Sequence, residues 1–430
     1  MSGVPGFSGP GAPPGPAATA PPIAVRRSFP SAVRWLLLAL AVVAGAAGFA
    51  YLFLLNAGGP SASAKSLSVT FGAEGDDAGF QIIPAPDGYI IVGQTSSYGS
   101  GQADIWVMKV DSAGRQVWAH TYGGPDRERV FGRPAVATGG DTYLIATSSS
   151  SVGAGGYDGL VLKLDGSGEK VWSQTFGGAK SDYLNSADVT TDGGYILAGI
   201  VSSFGAGYYD AWLIRLGASG DKIWSRTYGS ADADAAYAAR ATPDGGCVVG
   251  GYTGDKAWFF KVDASGAQGW SRTWSLGSGA WVTVIEPAGD GGYYLLTLYY
   301  SDTEGTISCS VYKTDAEGRE IWSFPIEGPG VYGANGLSAT SDGGCVVCGW
   351  FLATGAETET PWLLKLDARG GEDWRATYPM DGSVVWVEPL RGGRFMVAGY
   401  MYPNSGAERD LWLATTDRQG RLEVSAGGGP

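Results

Sequence analysis

The chain has 430 residues, of which 44% are apolar and 71 are glycine, and a formal net charge of −13. All 42 acidic residues lie beyond residue 65, and nucleic acid is excluded as a partner because phosphate binding needs a clustered basic footprint. His120 is the one histidine, so a His-based catalytic triad and a His-rich metal site are excluded as well.

Residues 1–33 are rich in Pro, Gly and Ala without periodicity, and are predicted to be a disordered cytoplasmic tail. An uncharged run follows from Trp35 to Leu55; as a helix it is about 32 Å long, enough to cross a bilayer. Residues 34–56 are therefore predicted to be a transmembrane signal anchor, and 57–65 a linker. Arg26, Arg27 and Arg34 precede the run, which keeps the N-terminus cytoplasmic and the remainder extracytoplasmic. Cleaved secretion is the alternative, since Arg26-Arg27-Ser28-Phe29 loosely resembles a twin-arginine signal and Ala62-Ser63-Ala64 a cleavage site. Ala41/Gly45 and Ala44/Gly48 form a small-residue pattern that lets two helices approach.

From there the sequence repeats. Asp-x-x-Gly followed four residues later by Trp returns about every fifty residues, at Asp111/Gly114/Trp118, Asp165/Gly168/Trp172, Asp263/Gly266/Trp270, Asp315/Gly318/Trp322 and Asp367/Gly370/Trp374. Gly217 replaces the Asp before Gly220/Trp224, and Asp417/Gly420 has Val424 in the Trp position. A second turn recurs in step, as Asp87-Gly88, Gly139-Gly140-Asp141, Asp192-Gly193-Gly194, Asp244-Gly245-Gly246, Asp290-Gly291-Gly292, Asp342-Gly343-Gly344 and Arg391-Gly392-Gly393. Strand-like segments flank each Gly-rich turn, which is a hairpin signal. Four short strands per repeat, seven times over and without helices, predict an all-β, seven-bladed β-propeller of four-stranded antiparallel blades over 66–426, with 427–430 disordered. Ser68-Val69-Thr70-Phe71-Gly72 matches Thr175-Phe176-Gly177 and Thr227-Tyr228-Gly229 but precedes the first complete blade. It is predicted to supply the outer strand of the last blade and so close the ring.

The segments Asp192-Gly193-Gly194-Tyr195-Ile196-Leu197-Ala198-Gly199 and Asp210-Ala211-Trp212-Leu213-Ile214-Arg215-Leu216 resemble the repeats of prokaryotic cell-surface β-propeller proteins. The Asp-x-x-Gly-x-x-x-Trp hairpin is more distantly similar to the pyrroloquinoline-quinone-type propeller repeat, whose Trp docks between blades. The resemblance implies the fold and leaves function open, because such repeats serve enzymes, assembly factors and adhesins alike. A quinone enzyme of that kind would want adjacent cysteines and a metal-binding carboxylate set, and the sequence has neither.

Cys345-Val346-Val347-Cys348 has redox spacing but lies on a strand, where residues three apart face opposite ways. Cys247 and Cys345 are expected to be small core fillers, and pairing of Cys309 with Cys345 or Cys348 stays open. Lys109, Lys163, Arg215, Lys261, Lys313 and Lys365 each stand two residues before the turn Asp or its substitute. A local ion pair with that Asp is the plain expectation, and a cation ring for an anionic ligand the sharper one.

The two tight turns share one face of each blade, so the longer loops crowd the other. Loops over 98–104, 152–158, 204–210, 351–360 and 402–410 are aromatic, and Asp77, Glu128, Asp182 and Asp234 each follow a Gly by five residues. With Tyr98, Tyr157, Tyr208 and Tyr209 these acids are the candidate ligand-binding set, for sugars, peptides or a cation such as calcium. No catalytic or metal cluster is visible. The function expected is a membrane-anchored extracytoplasmic binding or scaffolding module for a protein or glycan, without catalysis or a resident cofactor. The alternative is a carbohydrate-active lyase or glycosidase using loop-face carboxylates.

Overall fold

The computed structural model describes residues 67–301, 307–328, 330–403 and 408–423, so the tail, anchor and linker expected before residue 66 lie outside the described residues. Among the described residues no helix is long and apolar enough to cross a membrane.

The tight turns dictate the local structure. In the third repeat, Tyr183–Val189, Tyr195–Val201, Asp210–Leu216 and Lys222–Tyr228 pair antiparallel in that order. The hairpin between the first two closes through Gly193 N to Thr190 O at 2.8 Å, and the one between the last two through Gly220 N to Gly217 O at 2.9 Å. Where Asp stands at the second turn it also caps it: Asp165 Oδ1 accepts the amides of Ser167 and Glu169. The third strand is buried along its whole length, because both of its faces meet another blade, and so it reads as a continuous apolar run. The outer strand is exposed or half-buried until Tyr228, its last residue, which is buried.

Seven such sheets are present, and seven apolar clusters fill the spaces between them, one for each adjacent pair. The ring closes as the sequence predicts. Ser68–Phe71 pairs with the strand Asp410–Thr416 in the seventh blade, Ser68 opposite Ala414 and Phe71 opposite Leu411. This register places Leu67, not Val424, in the position of the repeat's Trp, and Leu67 packs against Gly114 of the first blade. All four cysteines are buried and free, and Cys309 forms no disulfide with Cys345 or Cys348. Cys345 lies in the cluster between the fifth and sixth blades and Cys348 in the one between the sixth and seventh, on opposite faces of their strand.

Two departures from the repeat shape the centre of the ring. Six innermost strands carry a register shift of one residue, at Phe80, Asn185, Tyr237, Thr283, Asn335 and Val385. In the second blade the innermost strand is broken into Glu128–Arg129 and Ala135–Ala137, where Gly132 has φ +60 and Pro134 lacks the N–H a ladder needs. The Gln81 side chain from the first blade repairs the gap, accepting from Ala135 N at 2.9 Å and donating to Ala135 O at 2.8 Å.

Candidate functional site

On the tight-turn face the basic residues are paired, but not with the acid expected. Lys109, Arg215, Lys261, Lys313 and Lys365 reach the Asp of the other turn: Asp87 (2.8 Å), Asp192 (2.6 Å), Asp244 (2.6 Å), Asp290 (2.8 Å) and Asp342 (2.9 Å). Each base projects across the neighbouring strand toward that hairpin, while the Asp two residues on spends its oxygen on its own turn amides, as Asp367 Oδ1 does with Arg369 N and Gly371 N at 2.8 Å. The pairing holds Asp192, Asp244 and Asp342 down at about 2, hydrogen bonds from Thr and the base being main causes. Lys163 is the exception. Its turn carries the acid one place later, as Asp141 at φ +54, so Lys163 donates to Thr138 and to the Tyr195 hydroxyl, and burial pulls its ammonium down to about 8.

In the central channel, Glu286 Oε1 accepts from Arg133 Nη1 at 2.8 Å and Arg240 Nη2 at 2.9 Å. Arg133 belongs to the second blade and Glu286 to the fifth, so this contact crosses the axis of the ring. Glu388 nearby is raised to about 7 by burial.

The loop face holds the predicted set. Asp77, Glu128, Asp182 and Asp234 are fully buried, and their oxygens organise the loops. Asp182 Oδ2 accepts from Gly178 N (2.7 Å), and Oδ1 from Ser202 N (2.7 Å) and Ser203 N (3.0 Å). Asp77 accepts from Ala73 N and from the hydroxyls of Thr95 and Ser97, and burial raises it to about 6. Glu128 accepts from the Ser149 hydroxyl at 2.6 Å and is raised by burial; Asp234 accepts from Ser230 N at 2.6 Å.

A second series of acids was not singled out from sequence. Asp104, Asp158 and Asp210 each use Oδ2 to cap two amides of the preceding loop, such as Ala154 N (2.7 Å) and Gly155 N (3.0 Å) for Asp158. The signal was present: each long loop in blades one to three ends on Asp at the same rank. At the junction of blades two and three, oxygens of Asp158 and Asp182 both lie within 2.9 Å of where a Gly177 β-carbon would be, so only glycine fits between them.

The aromatic members are separated. Tyr98 packs on Trp106 and donates to Gly72 O at 3.0 Å. Tyr157 stacks near Tyr183 with centroids 5.4 Å apart, and the Arg129 guanidinium lies 5.0 Å from Tyr157, 5.4 Å from Tyr183 and 5.1 Å from Phe131. Tyr208 is 81% exposed and meets Tyr209 edge-on at 5.3 Å. The Tyr252 hydroxyl donates to that of Tyr209 at 2.9 Å, and Tyr237 lies 6.0 Å from Tyr252. In the fifth blade Trp281 and Tyr300 are 5.5 Å apart. Tyr183, Tyr237, Tyr252 and Trp281 stand on inner strands and read as ordinary core residues in sequence. Tyr183, Tyr237 and Trp281 stand at or beside the register shifts of their strands and are half-buried or more, and burial pushes the Tyr237 hydroxyl well up.

No protein-family signature matches the chain, and no curated protein is significantly similar to it in sequence. Solved structures do match. The WD40 domain of Pan2 from Neurospora crassa aligns with a TM-score of 0.50 at 10% identity, over 81% of this chain and 91% of that one. A protein of unknown function from Bacteroides caccae aligns at 0.42 and 16% over 63% and 90%, and the β-propeller domain of the Trilobed protease from Pyrococcus furiosus at 0.43 and 9% over 82% and 98%. The chain is a seven-bladed β-propeller. At these identities the likeness is one of fold alone.

Proposed function

We propose that this propeller is a binding or scaffolding module that presents its loop face to a protein or glycan and performs no chemistry there. The observation that carries the reading is the aromatic cluster of the loop face, partly buried Tyr157 and Tyr183 in one group and exposed Tyr208 with partly buried Tyr209, Tyr237 and Tyr252 in the other. Concave faces lined by aromatics with a few polar groups are the usual form of a ligand site. The commitment of Asp182 to three loop amides supports binding over hydrolysis at that position, since a buried carboxylate so engaged is a poor general base. The reading includes the anchor: the uncharged run from Trp35 to Leu55 behind three arginines tethers the face outside the membrane.

The test is an array of glycans and extracellular proteins challenged with the full chain and with a Tyr208→Ala/Tyr209→Ala variant. Binding that the variant loses supports the proposal. Failure to bind anything, or unchanged binding by the variant, overturns it. A reporter fused after residue 430 and found in the cytosol would remove the anchored orientation.

A further inference from the structure

The broken inner strand of the second blade carries a feature unlike the rest of this acidic protein. Arg127 and Arg129 flank buried Glu128 and lie two residues apart on an extended segment, so their side chains leave the same face. The Nε atoms of both are buried without a hydrogen-bond partner. Among the described residues neither guanidinium forms an ion pair, whereas the bases of the tight-turn face nearly all do. The two cations also repel each other, and burial lowers Arg129 further. Three rings, Phe131, Tyr157 and Tyr183, fix the Arg129 guanidinium in place. The buried Nε atoms, a feature shared with Arg133 and Arg240, are closed to a ligand, so it is the Nη edges of these two guanidinia, preoriented and without an acid paired to them, that match a carboxylate.

We propose that this rim of the channel mouth binds the carboxylate of an acidic sugar, such as a uronate, within an otherwise neutral glycan. This rests on the binding reading above. The carboxylate meets the Nη edges of Arg127 and Arg129, and neighbouring sugar rings lie along Tyr157, Tyr183, Tyr209 and Tyr252 on the sides that Arg129 leaves uncovered. A uniformly charged polymer is disfavoured by the net charge of −13. An acidic peptide matches the guanidinia but leaves the aromatic run uncovered.

Calorimetric titration of the full chain decides the matter, using a xylo-oligosaccharide that carries one glucuronate, its carboxyl-reduced counterpart and a short Glu-rich peptide. The glucuronate ligand is expected to bind at least about tenfold more tightly than the reduced one, with affinity falling as salt rises. Arg129→Gln should lose about tenfold or more, and Arg129→Lys should fall between, with thermal midpoints close to the wild type. Equal affinity for acid and reduced sugar overturns the inference and leaves the binding reading intact, because a ligand is still held. Tighter binding of the peptide overturns it in favour of a peptide partner. Binding of none of the three overturns it too, and the array with Tyr208→Ala/Tyr209→Ala then judges the broader reading separately. Should Arg129→Gln fail to fold, the acid-against-reduced comparison and the salt dependence of the wild type still decide.

Discussion

The indole of Trp172 lies against Gly220 of the next blade, so closely that a β-carbon at 220 would stand 2.9 Å from Trp172 Cζ2. The same contact recurs between Trp270 and Gly318 at 2.7 Å and between Trp322 and Gly370 at 2.7 Å, and the Trp322 indole N–H donates to Ala368 O in that turn at 3.2 Å. The two ends of the repeated motif therefore meet across blades, each Trp seating on the turn of its successor.

Gly220→Ala should then cost more than a turn glycine without that neighbour. Gly220 and Gly193 both have positive φ, at +96 and +81, but the nearest atom to a Gly193 β-carbon is 4.0 Å away. Both substitutions incur about 1–2 kcal/mol of backbone strain, and Gly220→Ala adds a further ~1–3 kcal/mol for the clash. Denaturant unfolding of the two variants measures the difference. Equal losses would mean that the indole contact has no energetic weight. In a double variant with Trp172→Ala, the clash contribution should vanish.

Closure by Ser68–Phe71 makes the last blade depend on a segment more than 300 residues earlier in the chain. Phe71 is 7% exposed, in the cluster that joins the seventh and first blades. Phe71→Ala should cost about 3–5 kcal/mol. Deleting residues 1–71 should also expose the edge of Asp410–Thr416 and produce association that grows with concentration, read by light scattering. A monomeric deletion variant of wild-type stability would show that the strand is dispensable.

The fold was legible because each turn carries its own residue code, and counting the codes counts the blades. Outer-strand Trp positions and the closing strand followed from the same alignment. Three things were not legible. The partner of each basic residue depends on how far a side chain reaches across the pleat, which periodicity does not encode, so Lys365 meets Asp342 and not Asp367. The substitution of Leu67 for a Trp is visible only after the register of Ser68 against Ala414 is known. The aromatic cluster joins loop residues to Tyr183 and Tyr237 on inner strands, where the one-residue shifts at Asn185 and Tyr237 are marked by no sequence period. Burial of Asp77 and Asp182, in contrast, is consistent with their place just before an inner strand, where loop amides need acceptors.

Stability should rise as the pH falls from about 7 to about 5.5. Burial lifts Asp77 to about 6, and Glu359 and Glu388 to about 7. A carboxyl raised in the folded state binds its proton more tightly there than in the unfolded chain, so each such group adds stability as it protonates and removes it as the pH climbs back through 6 to 7. Asp192, Asp244 and Asp342, held at about 2, act the other way, but their contribution is lost only as the pH falls below the ordinary carboxylate range toward 2. Between about 5.5 and 7 the raised carboxyls govern, and Lys163, pulled down to about 8 by burial, acts against them only above that window. Thermal midpoints across that range check the sign, and Glu388→Gln should flatten the slope. A midpoint that climbs with pH would contradict the burial of these groups.

Loop building and ligand contact should separate between Asp182 and Tyr208. Asp182→Ala strips acceptors from the amides of Gly178, Ser202 and Ser203, and leaving buried donors unpaired costs about 1–3 kcal/mol in total or more. Tyr208, 81% exposed, touches Tyr209 and little else, so Tyr208→Ala should change stability by less than about 0.5 kcal/mol. Binding should show the opposite order: Tyr208→Ala weakens it at unchanged thermal midpoint, while Asp182→Ala weakens it only as far as the 202–209 loop loosens, which hydrogen exchange in that loop measures. Loss of binding in Asp182→Ala with full exchange protection would make that carboxylate a direct ligand contact, and the loop-building role assigned to it would fall.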